Sequence, residues 1–185
     1  MQQVHFVEFT TAFGDLAVAW EYVSQEPKIV RIKLSRAGTS AKERILCCFP
    51  NATRASHPRV EALTSGISAF FRGEEIKFDL NMIALGRCPE FQRRVLLAEY
   101  GIPRGYVSTY GRIAEHLGIA GGARAVGNSL ASNPFPIVIP CHRAVKHDGT
   151  LGGYQGGPRM KRKLLEMEGM KFTSSGKVMM SRVYY

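Results

Sequence analysis

Residues 110–145 read YGRIAEHLGIAGGARAVGNSLASNPFPIVIPCHRAV, and the architecture of the second half of the chain turns on them. Ser108 or Thr109 is placed to cap a short helix over 110–117, glycines over 118–122 interrupt it, and a second helix is predicted over 123–132. Two short helices joined by a glycine-bearing turn predict a helix-turn-helix, the second being the recognition helix. Many small helical domains contain such a pair and touch no DNA. Gly121, Gly122, Ala123, Ala125, Gly127 and Ala131 leave the second helix unusually thin. Glycine inside a helix costs up to about 1 kcal/mol, so a compensating gain is expected. Two gains fit equally. One is entry into the DNA minor groove, about 6 Å wide, which a helix with ordinary side chains, about 10 to 12 Å across, cannot enter. The other is tight packing against the first helix.

Asn133, Pro134, Phe135 and Pro136 predict a rigid turn, with the asparagine able to bond backbone on both sides. Within 137–145, a stiff, strand-like apolar run ends at Pro140 and delivers Cys141 with His142 and Arg143 beside it. The thiolate is the nucleophilic form of cysteine, and nearby positive charge or a hydrogen-bonded histidine raises its fraction. A free cysteine is also often a small buried hydrophobe, and this stretch by itself leaves both readings open. Asp148-Gly149 predicts a hairpin turn that makes 145–151 a small wing. GGYQGG at 152–157 is a flexible loop with one aromatic. Pro158 opens a last helix with Met160, Leu164 and Met167 on one face, ending at Glu168 and Gly169. An acid at a helix C-terminus opposes the dipole, so a local partner for Glu168 is expected.

The chain has 185 residues, 25 Lys plus Arg and 15 Asp plus Glu, for a net charge of +10. That length allows one large or two small domains. Residues 1–85 hold 10 basic and 9 acidic side chains and residues 86–185 hold 15 and 6, so the second half carries nearly all the excess. A basic half beside a balanced one suggests a polyanionic partner, although a basic face is also compatible with a merely solvated surface. Cysteines at 47, 48, 88 and 141 have neither zinc-site spacing nor the density of a disulfide framework, which suggests a reducing compartment. The opening MQQVHFVEFT is not patterned as a secretory leader, and no apolar run is long enough to cross a membrane. A soluble intracellular protein is expected.

Strands are predicted over 4–11, 16–22 and 29–34, with a turn at Phe13-Gly14-Asp15, giving an antiparallel meander. Residues 42–49 suit a short helix stopped by Pro50, which would make Cys47 and Cys48 packing residues rather than metal ligands. His57-Pro58 opens a longer helix with Val60, Leu63, Ile67, Phe70 and Phe71 on one face, stopped by Gly73. The joint between domains falls at 83–88. After it, Pro89 starts a helix whose stripe is Phe91, Val95, Leu96 and Tyr100, ending near Gly101.

The stretch from about residue 91 to 169, with YVSTYGRIAEHLG, ARAVG, IPCHR, GGYQGG and LLEMEG in that order, closely resembles the O6-alkylguanine-DNA alkyltransferases, also called methylated-DNA-protein-cysteine methyltransferases. The first eighty-odd residues resemble that family only in layout. The resemblance implies an α+β chain. A ribonuclease H-like α/β structural domain without nuclease residues covers 1–85, a mostly helical winged helix-turn-helix domain for DNA binding and alkyl transfer covers 86–170, and a tail, strand or mobile arm, covers 171–185.

The implied activity is repair of O6-alkylguanine in duplex DNA by one irreversible transfer of the alkyl group to Cys141, without cofactor or metal. Glu168, His142 and, through a water, Cys141 form the implied relay; Tyr110 turns the target's phosphate and protonates the flipped base; Asn133 ties the helix-turn-helix to the active-site turn. Arg124 fills the vacancy left in the stack, a role that base flipping creates, and Gly122, Ala123 and Ala125 face DNA. On the residues alone, a phosphate-binding Arg124 and a packed Tyr110 are the commoner roles. Leu130, Pro136, Ala144, Tyr154, Gln155 and Gly156 belong to the base pocket, with Gln155 standing where many relatives carry serine. Arg143 is expected in a structural ion pair, and His5, His116 and His147 at the surface. The implied partner is double-stranded DNA, bound by a monomer through the minor groove, with no membrane, in the cytoplasm or, for a eukaryotic source, the nucleus. Two rivals are a winged-helix protein that only recognises the lesion, which in related proteins carries tryptophan for the cysteine, and a cysteine hydrolase.

Overall fold

Alternating apolar residues near the N-terminus produce three long strands, β1 (His5–Thr11), β2 (Gly14–Val23) and β3 (Glu26–Leu34). The computed structural model describes residues 3–185; the first two residues of the stretch read above for a leader lie outside it. The chain divides into two compact units, one formed by residues up to Arg87 with Pro134–Val138, the other by Cys88–Asn133 and Ile139–Tyr185. It is of mixed α/β class.

In the first unit the expected meander forms, β1 pairing antiparallel with β2 and β2 with β3, and a short β4 (Thr53–Arg54) joins β1 in parallel, for the order β3-β2-β1-β4. The central run Leu16 to Trp20 is almost wholly buried because both faces of the sheet are covered. Helix α1 (Ala41–Leu46) packs Ala41 and Ile45 against Phe6, Ala17, Ala19 and Val30. Alternate residues point the other way, where Trp20 meets His57 at the start of α2 (Pro58–Phe71), with ring centroids 5.9 Å apart. The α2 face is the one predicted. Cys47 and Cys48, however, are exposed rather than packed. The helix stops at Leu46 under a Ser40–Glu43 capping box that sets its register, and Leu46 and Phe49 take the packing positions. His5 also departs from a surface role. It is half-buried, its ring lies 4.8 Å from Trp20, and its Nδ1 is 3.0 Å from the Thr53 hydroxyl.

The second unit holds α3 (Glu90–Tyr100), β5 (Ser108–Thr109), α4 (Tyr110–His116), α5 (Ala123–Ala131), β6 (Ala144–Val145) and α6 (Gly157–Met167). Thr109 caps α4 by accepting from the Arg112 amide at 3.1 Å. On α3 the buried face is Val95, Leu96, Ala98 and Glu99, whereas Phe91 and Tyr100 are only half-buried. On α6 it is Lys161, Leu164 and Leu165 rather than Met160 and Met167.

Two further expectations are corrected. The approach to Cys141 is not a strand: the chain turns through 137–140, Ile137 has a φ of 75°, and Cys141–Arg143 is a single 3-10 turn. Pro136 and Pro140 withhold the amides a ladder needs, and the left-handed Ile137 breaks the extended run. This apolar segment is buried as a turn. The predicted wing is likewise no hairpin of strands. Its turn exists, with the Gly149 amide donating to Lys146 O at 3.0 Å and Lys146 to Thr150 O at 2.9 Å. Val145 pairs instead with Thr109 of β5, in parallel. That pairing sets the start of α4 beside the Cys141 turn. The C-terminal residues are anchored: Val107 donates to Arg182 O at 3.0 Å, Tyr184 to Val107 O at 2.8 Å, and the Tyr185 hydroxyl to Ala98 O at 2.8 Å. His116 is exposed but stacks on Tyr185, with 3.8 Å between centroids.

Candidate active site

Cys141 lies at the start of the 3-10 turn, 7% exposed, and lines a cavity of about 290 Å³ together with Tyr110, Arg124, Leu130 and Tyr154. Ligand pockets run from about 300 to 1,000 Å³, so this one suits a single ring system. Of the thin helix, Ala123, Gly127 and Ala131 reach the same cavity. Gly122 does not: a Cβ there would come within 2.6 Å of Ile119 Cγ2 and 3.2 Å of Ala114 Cβ, so its glycine serves packing onto α4. A Cβ at Gly127 would meet only Tyr110 at 3.9 Å, an ordinary contact, so packing does not require that glycine. Packing thus explains the small residue at Gly122 and not at Gly127. Ala125 is exposed. Ala144 is buried in β6, Gln155 and Gly156 are half-buried in the loop before α6, and none of these lines the cavity; Pro136 belongs to the first unit.

Behind Cys141 is a buried charge cluster. His142 Nε2 is 2.9 Å from Glu168 Oε1, and Arg143 grips the same carboxylate from Nε at 2.9 Å and Nη2 at 2.8 Å. Arg143 also donates to Ile102 O at 2.5 Å. Burial opposes ionisation of Glu168, but the His142 and Arg143 partners outweigh it and hold the carboxyl down at about 2. Burial pushes His142 below its ordinary value, so at neutral pH its ring is neutral. A neutral ring facing a carboxylate donates its Nε2 proton and keeps its lone pair on Nδ1. The partner expected for Glu168 is therefore present, and it offsets the unfavourable dipole.

Both basic residues next to Cys141 in sequence thus bond to Glu168. Burial pushes the thiol up to about 11, against a hydrogen bond from the Asn133 side chain that favours the thiolate. Asn133 also donates from Nδ2 to Ile139 O at 3.2 Å, tying the end of α5 to the turn. The cation that does act on the thiol is Lys161, fully buried, donating to Ala144 O at 2.6 Å and Gly153 O at 3.3 Å. Its ammonium lies 6.0 Å from the Tyr110 ring centroid. Burial, then the charges of Glu99 and Cys141, push Tyr110 up to about 12, so its hydroxyl keeps its proton. Sequence reasoning missed Lys161, Glu99 and Gly152. The signal for the first was present: residues 161, 164, 165 and 168 fall on one helical face, and two of the four are charged.

The arrangement is that of a thiol and a tyrosine hydroxyl lining one small cavity, next to a neutral imidazole bound to a carboxylate, on a basic α/β protein. A family model described as the DNA-binding domain of 6-O-methylguanine DNA methyltransferase matches residues 90–170. The methylated-DNA-protein-cysteine methyltransferase of Methanothermobacter thermautotrophicus is 47% identical over 111 residues, covering 60% of this chain and 62% of the relative. This chain's match thus spans less than two thirds of that curated relative. The crystal structure of Mycobacterium tuberculosis O6-methylguanine methyltransferase superposes with a TM-score of 0.73 at 34% identity, covering 90% of this chain and 93% of that one. A second structure of the Mycobacterium tuberculosis protein, in complex with DNA, has a TM-score of 0.70 at 31% identity, covering 89% and 92%. The chain belongs to the O6-alkylguanine-DNA alkyltransferase family.

Proposed function

We propose that this protein repairs DNA by taking the alkyl group of O6-alkylguanine onto Cys141, once per molecule and irreversibly. The observation that carries the reading is Cys141 in a base-sized cavity with Tyr110 and Arg124, backed by the His142–Glu168 pair. Displacement at a saturated carbon needs a soft nucleophile and a leaving group that departs neutral. The His142 lone pair takes the thiol proton through a water, the sulfur bonds to the alkyl carbon as the carbon–oxygen bond breaks, and Tyr110 supplies a proton to the departing guanine. The product thioether does not hydrolyse, which separates this chemistry from that of a cysteine hydrolase.

The finer domain reading goes with it. Residues 1–85, joined by 134–138, form a ribonuclease H-like bracing domain, and 86–170 a helix-turn-helix domain that enters the minor groove of duplex DNA with α5, residues 171–185 being a C-terminal segment anchored to it. The protein acts as a monomer in the cytoplasm, or in the nucleus of a eukaryote. Support for DNA binding comes from the DNA complex of the mycobacterial relative and from the exposure of Arg124 on α5. Incubation with excess O6-methylguanine duplex is expected to add the mass of one methyl group per protein molecule. Selective binding of the lesion with no mass gain would instead establish the recognition-only rival.

Gly152 offers a sharper test of the pocket. Its φ is 68°, and a Cβ there would stand 2.6 Å from the Tyr110 hydroxyl. Gly152→Ala is expected to displace that hydroxyl and slow transfer about tenfold or more, with a stability loss of about 1 to 2 kcal/mol from the left-handed backbone. A Cβ on Gly153 meets nothing within 4 Å, so Gly153→Ala should transfer at nearly the wild-type rate. Equal single-turnover rates for the two variants would remove Tyr110 placement from the mechanism.

A further inference from the structure

Glu99 on α3 and Lys161 on α6 are both fully buried. Neither Glu99 carboxyl oxygen makes a hydrogen bond of normal geometry among the described residues, whereas the Lys161 ammonium donates only to the carbonyls of Ala144 and Gly153. A buried ammonium held by carbonyls keeps much of the cost of its charge unless an anion stands near. Two acids act on it, the Cys141 thiol and the Glu99 carboxyl. One ammonium therefore faces two candidate counter-ions.

We propose that Glu99 is a positioning residue for the alkyl transfer: its carboxyl competes with the Cys141 thiol for the single charge of Lys161, and so governs how readily the thiol ionises. The proposal rests on the reading of Cys141 as alkyl acceptor. The titratable and charged groups facing Glu99 are Lys161 from α6, Arg143 and Cys141 from the 3-10 turn, Tyr110 from α4 and Tyr185 from the C-terminus. Arg143 is committed to Glu168, and burial pushes both tyrosines up, so neither is ionised near neutrality. Lys161 is the group left whose charge responds. Burial pushes Glu99 up and Lys161 down, each held back by the other's charge. While Glu99 is protonated only the thiol draws on the ammonium; when the carboxylate forms it draws on the same ammonium, and its own charge raises the thiol further. Such coupled groups titrate as a set rather than singly.

The test follows the thiolate of Cys141 by ultraviolet absorbance, each protein being subtracted from its Cys141→Ala counterpart, in wild type, Glu99→Gln, Lys161→Met and the double variant. Glu99→Gln is expected to lower the pH of thiol ionisation by about one unit, a tenfold gain in thiolate at fixed pH. Lys161→Met is expected to raise it. The double variant should differ from the sum of the singles, because Glu99 acts through Lys161. An unchanged titration in Glu99→Gln, or strict additivity, overturns the proposal. Glu99→Leu, which removes the same charge and suits an apolar site, repeats the test if Gln folds poorly. The titration uses no DNA, so failure of methyl transfer from an oligonucleotide would overturn the functional reading by itself.

Discussion

Cys141→Ala is expected to bind O6-methylguanine duplex and to gain no methyl mass at any time. The side chain is small and nearly buried, so its truncation costs on the order of 1 kcal/mol of stability and leaves α5 and Arg124 in place. No other thiol can substitute: Cys47 and Cys48 are exposed in the first unit and Cys88 does not line the cavity. The loss should therefore be complete rather than partial. A thiol held near 11 is ionised in only roughly one molecule in ten thousand at neutral pH. Transfer is therefore expected to need removal of the thiol proton during the reaction, the role proposed above for His142. Methyl transfer persisting in Cys141→Ala, located by peptide mass, would sink the assignment of the acceptor.

Glu168→Gln is expected to have the second-largest effect, on stability as well as on rate. Removing one partner of a buried ion pair costs about 3 to 5 kcal/mol because the other charge is left uncompensated, and here Arg143 loses two charge-assisted bonds at once. The pH dependence has a definite sign. Glu168 is depressed from 4.5 to about 2, so the folded state binds fewer protons than the unfolded chain between these values. Its contribution, about 3 kcal/mol from that shift, is present in full above about 4.5 and is lost as pH falls through that window toward 2. His142, also depressed, adds a loss in the same direction that begins below its ordinary 6.5. Denaturant titrations from pH 7 to pH 2 should show a steep decline in the wild type and a shallower one in Glu168→Gln. Parallel declines would mean that the cluster does not hold the fold together.

Local pattern made much of this legible. The meander follows from alternation along 5–34, α2 from Pro58 and its apolar stripe, and α4 and α5 from their caps and glycines. These are short-range signals, and they survive in the folded chain. The IPCHR motif and its neighbours carry the family resemblance and point to Cys141, His142, Tyr110 and Glu168.

Where several elements meet, the sequence was insufficient. Residues 137–140 look like a strand because they are apolar, yet they are buried as a turn, since burial and extended backbone are separate properties and two prolines deny the ladder its donors. Arg143 looks like an activator of the thiol because it lies close to it in the chain, but a carboxylate 25 residues further on claims its charge. Lys161 and Glu99 have no motif to mark them, and both are buried and act electrostatically on Cys141. By itself the sequence determined most of the elements and the family, and it marked Cys141 as the candidate nucleophile. Only the tertiary structure decided which charges face Cys141, because Coulomb interactions depend on distance through the folded protein and on burial, neither of which is encoded by adjacency along the chain.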